Sequence, residues 1–98
     1  MKRYVGIFGK DKQDADNFLD SLELQNVKEV IKNVIIHRVY LEDGSMFESF
    51  KAGFYAKGHK FTDVYIQNKI GKDIIYDIII PTLILHDDGT DPSINYFD

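Results

Sequence analysis

The chain is 98 residues long, 44% apolar and 29% charged, with a formal net charge of −4 and no cysteine. That length sustains one domain with a single modest core, and the composition is that of a folded chain rather than a disordered one. Without cysteine there are no disulfides or thiolate metal sites, which points to an intracellular setting; the mild acidity argues against general nucleic-acid binding and falls short of a DNA mimic.

From Met1 to Lys10 there are basic residues but only a short apolar run, so no signal peptide is expected, and no later run is long enough to span a bilayer. Tyr4 to Phe8, closed by Gly9, reads as a first strand, central or parallel in its sheet. Gly6-Ile7-Phe8-Gly9-Lys10 carries the glycines and lysine that suit an anion. Its spacing is not that of a Walker A loop and Asp11 follows Lys10, so a strand-to-helix turn is preferred. Asp11 to Leu24 places Ala15, Phe18, Leu19 and Leu22 on one helical face. Asp14, Asp16, Asn17, Asp20 and Ser21 lie opposite, as a solvated face rather than a metal site, because no histidine or second carboxylate cluster stands beside them at ligand spacing. Asn26-Val27-Lys28-Glu29 resembles a capping box, which predicts a second short helix burying Val27, Val30 and Ile31.

The stretch from Asn33 to Pro81 organises the remainder. Val34, Ile35, Ile36, Val39, Tyr40 and Leu41 form an extended apolar run, Asp43-Gly44 is a hairpin signal, and Met46, Phe47 and Phe50 follow. A two-residue turn would set Leu41 opposite Met46, Tyr40 opposite Phe47, Val39 opposite Glu48 and Arg38 opposite Ser49. The connection from Lys51 to Lys60 mixes glycines, aromatics and bases, so Lys51, Phe54, Tyr55, Lys57, His59 and Lys60 are candidate ligand- or partner-binding residues. The competing reading tucks an aromatic into the core and leaves the bases for solubility. His59 has no catalytic partner at a telling spacing, and His37 and His86 fall in other elements, so no catalytic residue is expected. Phe61 to Ile66 reads as a strand. Ile70, Ile74, Ile75, Ile78 and Ile79 share one helical arc opposite Lys72, Asp73, Tyr76 and Asp77, which favours a helix from Ile70 to Ile80 over a strand, ended or kinked by Pro81. Ile80 projects onto the polar arc; with Tyr76 and Leu83 it is a candidate homodimer interface. Leu83 to Leu85 suggest a last short strand, and residues 86–98 a flexible, solvated acidic tail.

The strand, Asp-Gly turn and strand, then Lys57-Gly58-His59-Lys60-Phe61, the strand Val64-Tyr65-Ile66 and the Ile-rich helix together resemble the Walker B half of a phage large-terminase ATPase core. In that family the strand ends in an acidic pair that handles magnesium and water. Gln67 and Asn68 occupy those positions here, and no Walker A loop precedes them, so the resemblance implies a small phage-encoded relative without ATP hydrolysis. The expectation is a single α/β domain, with a mixed sheet, a β-hairpin and flanking helices. Its expected role is a non-enzymatic binding protein without cofactor or metal: a phage accessory or inhibitor acting on a host protein in the cytoplasm. The alternatives are a protein that sequesters a small ligand or nucleotide through the Lys51 to Lys60 loop, and a minimal phosphohydrolase.

Overall fold

Alternation along the first strand decides the architecture. The computed structural model describes residues 2–53 and 58–98. In β1 (Tyr4–Gly9), Val5 and Ile7 pack on one side and Phe8 on the other, and all three are fully buried. A strand apolar on both faces must be covered on both. It sits inside a six-stranded sheet with β2 (Val27–Lys32), β3 (His37–Leu41), β4 (Met46–Lys51), β5 (Asp63–Gln67) and β6 (Ser93–Phe97), in the order β2-β3-β4-β1-β5-β6. β1 runs parallel to β4 and β5, β6 runs parallel to β5, and β3 is antiparallel to both β2 and β4. The sheet is therefore mixed, with β3 alone opposing the rest.

Each face has its own helix. The helix α1 (Lys12–Ser21) lays Ala15 and Leu19 over Val5, Ile7, Val39 and Phe47, and the Phe18 ring stacks on Phe97 at 4.1 Å. On the opposite face Ile70, Ile75 and Ile79 cover Phe8, Phe50, Phe61, Val64 and Ile66. There the Phe8 ring stacks on Phe50 at 5.4 Å and meets Phe61 edge-on at 5.8 Å, geometries that suit aromatic quadrupoles. This is a small single-domain α/β fold, as the sequence patterns indicate. Among the described residues no helix is long and apolar enough to cross a membrane.

The Ile-rich segment is helical, but its pitch changes. It starts as α2 (Lys72–Ile74), widens to a π-helix over Ile75–Ile79 and tightens to a 3-10 turn over Ile80–Thr82. The amide of Ile80 reaches back to the carbonyl of Ile75, and Pro81, which has no amide hydrogen, forbids a regular continuation. A wide turn delays the helical phase by nearly a residue. Ile80 is consequently not on the polar arc: it is half-buried against the core beneath α2, as is Leu83, while Tyr76 remains 66% exposed.

Other expectations are corrected. Asn26 to Glu29 caps no helix; Asn26 takes a positive φ of 57° and residues from Val27 onward form β2 against β3. The β3–β4 hairpin pairs Arg38 with Glu48, Val39 with Phe47 and Tyr40 with Met46, one residue away from the two-residue-turn register. Leu41 and Ser45 close a three-residue loop in which Gly44, at φ 91°, supplies the left-handed position. Val34 and Ile35 lie outside any strand, in the turn between β2 and β3. Leu83 makes one parallel bridge to Phe61 instead of a strand. The supposed tail carries β6, held along the whole of β5.

Candidate functional site

Gly9 ends β1 where the chain turns into α1. A Cβ there would fall 2.7 Å from both the Ala15 amide nitrogen and the Asp11 carbonyl oxygen, so only glycine lets the helix start this close to the strand. The turn carries no Walker A geometry; its Lys10 amide donates to Gln67 Oε1 at 2.8 Å. The close start brings Lys12 over the end of β4. Its ammonium group donates to Asp16 Oδ1 at 2.5 Å and to Ser49 Oγ at 2.9 Å, and the buried Ser49 hydroxyl also donates to Asp16. His37, 3% exposed at the start of β3, lies beside the same carboxylate: Nδ1 is 3.5 Å from Asp16 and Nε2 is 3.3 Å from Asp20. Burial works to raise the Asp16 pKa, but the hydrogen bonds from Lys12 and Ser49, with the nearby positive charge, outweigh it and hold the carboxyl below its usual range. The acidic side of α1 is thus partly an anchor to the sheet.

On the other face, Arg38 Nε donates to Glu48 Oε1 at 2.9 Å and its Nη1 to the Tyr40 hydroxyl at 3.2 Å. The hydrogen bond to Glu48 raises the Arg38 pKa, and Glu48 is buried. Phe50 follows in the core, and the His59 imidazole meets its ring edge-on at 5.0 Å while lying parallel to Phe61 at 5.9 Å. Between these groups, at the carboxyl end of β4, is a cavity of about 520 Å³. Lys12, Ile35, Ile36, Phe50, Lys51 and His59 line it, with Arg38, Glu48 and Ser49 in its walls.

The rim of the cavity continues into the β2–β3 turn. Asn33 holds that turn: its amide donates to the Ile36 carbonyl at 2.8 Å, and its side-chain oxygen accepts from the amides of Ile35 and Ile36. This Asx turn presents Val34, 96% exposed, and Ile35, 80% exposed, to solvent.

Of the binding residues expected in the Lys51 to Lys60 connection, Lys51 and His59 line the cavity and Lys60 is exposed outside its lining. Phe54, Tyr55 and Lys57 lie outside the described residues. Gln67 and Asn68 serve as ties. Gln67 is buried and also donates to Asp14 at 3.2 Å, which together with Lys69 lowers the Asp14 pKa, while the Asn68 side chain donates to Asp98. Among the described residues no group of three His, Cys, Asp or Glu side chains is placed to hold a metal ion.

Sequence reading missed Lys12, Arg38 and Ser49, although the Lys12 to Asp16 spacing is an ordinary i,i+4 helix pair. It also missed a second buried polar cluster at the amino end of β5. Asp63, 2% exposed, accepts from Arg3 Nε at 3.1 Å, from Thr62 Oγ1 at 2.8 Å and from Ser93 Oγ, with His86 Nε2 at 3.5 Å. The His86 side chain, 8% exposed, is therefore largely covered rather than part of a solvated tail. Comparison with protein-family models, with curated proteins and with solved structures gives no match.

Proposed function

We propose that this protein is a non-enzymatic binding protein that engages a protein partner through the tip of its β2–β3 hairpin. The observation that carries this reading is the pair Val34 and Ile35, almost wholly exposed on a turn fixed by three hydrogen bonds to Asn33. Two apolar side chains left in water have no role in the core, and a turn whose backbone is already hydrogen-bonded loses less entropy when a partner covers it. The resemblance to a terminase half supports a phage accessory or inhibitor acting on a host protein in the host cytoplasm. The neutral Gln67 and Asn68, engaged in holding strand ends, support the absence of phosphohydrolase activity. A second copy of the chain is the other candidate partner, supported by the exposed Tyr76.

The test is affinity capture from a bacterial extract with the native protein and with Val34→Asp/Ile35→Asp, matched for folding by circular dichroism. A partner held by the native protein and lost by the variant is the expected result. Equal capture by both, or no specific capture by either, overturns the reading. Magnesium-dependent ATP or GTP hydrolysis above background that disappears on replacing Gln67 would overturn the non-enzymatic part.

A further inference from the structure

We propose that the cavity at the carboxyl edge of the sheet binds a small organic anion, a carboxylate or phosphate ester carried on an apolar body. The inference does not depend on the hairpin tip having a protein partner. Its first support is topological. The connection leaving β1 enters α1 on one face, whereas the connection leaving β4 places Ala52, His59 and Phe61 on the other. Neighbouring parallel strands whose connections part in this way leave a crevice at their carboxyl ends, and open α/β sheets take ligands there. The cavity opens beside that point, between the carboxyl end of β4 and the start of β3 with Lys12 of α1 at its edge, and its volume of about 520 Å³ is within the range of small-molecule sites.

Charge selects the sign of the ligand. Lys12 is matched by Asp16 and Arg38 by Glu48, but among the described residues Lys51 has no carboxylate in ion-pair range. The paired bases also keep unused donors. The Lys12 ammonium has three N–H bonds and serves two named acceptors; the Arg38 guanidinium has five and serves Glu48 and Tyr40. A carboxylate or phosphate entering the cavity would meet one unneutralised cation and two partly used ones, in a chain whose overall charge is negative. Shape and polarity select the body. Phe50, Ile35 and Ile36 give the cavity apolar walls, and covering Ile35 removes a large exposed side chain from water.

The experiment is an amide-resolved NMR titration of the full chain with 2-naphthoate, 2-naphthyl phosphate and the neutral 2-naphthalenemethanol. Both anions should give saturating shifts at Ile35, Ile36, Ser49, Phe50 and Lys51, with the tighter one identifying the headgroup, and the neutral analogue should bind more weakly. Lys51→Glu, at an exposed position, should weaken the anions about tenfold, and Lys51→Gln by a smaller factor. Val34→Ser, which removes the apolar tip without adding charge, should leave anion binding unchanged, which separates this site from the hairpin tip. Shifts that do not saturate or that map elsewhere, a neutral analogue as tight as the anions, or unchanged affinity in Lys51→Glu would each overturn the proposal. So would an alternating Asp-Leu peptide that binds the cavity more tightly than either anion, because the site would then belong to a protein partner.

Discussion

The middle of the sheet and the β2–β3 hairpin use the same kinds of residue to opposite ends. Val5, Ile7 and Phe8 are fully buried, whereas Val34 and Ile35, equally apolar, stand in water. Helix cover makes the difference. α1 packs on β1 and β4, the Ile-rich helix covers β1 and β5, and β2 at the far edge receives little from either, so its residues are almost all exposed. Apolar character marks stability where two layers meet and marks contact where the layers run out.

That contrast is tested by substitutions on both sides of it. Phe8→Ala should have the largest effect, about 3–5 kcal/mol in urea unfolding, because it empties the aromatic contact with Phe50 and Phe61. Gly9→Ala should cost about 3 kcal/mol, since the atoms it would strike are backbone and cannot swing aside. Asp63→Ala should cost about 2 kcal/mol by leaving Thr62, Ser93 and Arg3 without their shared acceptor.

The same aspartate gives a pH signature. Burial acts to raise its pKa, but the hydrogen bonds from Arg3, Ser93 and Thr62 prevail and lower it from 3.8. A lowered folded-state pKa means that the stabilisation is complete above that ordinary value and is lost as pH falls through the lowered one. Unfolding midpoints of the native protein should therefore drop steeply below about pH 4, and Asp63→Asn should flatten part of that slope.

Smaller effects belong to the rim. Ile80→Asp should destabilise by about 2 kcal/mol, because the side chain is packed against the core beneath α2. Tyr76→Asp should change stability by under about 0.5 kcal/mol. If the native protein is a dimer by light scattering and Tyr76→Asp is a monomer, the exposed face of the helix is the self-association surface. Val34→Asp should leave the unfolding midpoint unchanged within about 0.5 kcal/mol while abolishing partner capture. A large loss of stability there would erase the contrast between the two regions.

Elements with a clean period were readable from the chain. Ala15, Phe18, Leu19 and Leu22 announced α1, Tyr4 to Phe8 announced a buried strand, and the isoleucines from Ile74 to Ile79 announced a helix. The errors have local causes. Val27, Val30 and Ile31 fit a short helix as well as a strand, and pairing with β3, bulged between Val27 and Glu29, decided for the strand. The hairpin slipped by one because Asp43-Gly44 belongs to a three-residue loop, and Ile80 was misplaced because a π turn breaks the even 100° step. Of the candidate site, Lys51 and His59 were readable as a base and an aromatic in a glycine-rich connection. The rest was not, because Lys12 meets Ser49 only through sheet order, as Arg3, Asp63 and Ser93 meet, and the two-residue-turn register paired Arg38 with Ser49 instead of Glu48.

The position of β1 also bears on how the chain acquires its structure. Both of its neighbours, β4 and β5, come later in the sequence, so nothing near β1 in the chain can pair with it. The antiparallel β2–β3–β4 meander is built from short connections and can form while β1 still waits. During synthesis Tyr4 to Phe8 would emerge before either partner strand, unpaired until residues 46–51 follow and open at its other edge until residues 63–67 emerge. Closing such distant pairings sets a slow refolding step, on the order of milliseconds to seconds, and makes this first strand the segment most in need of chaperone shelter before the sheet closes around it.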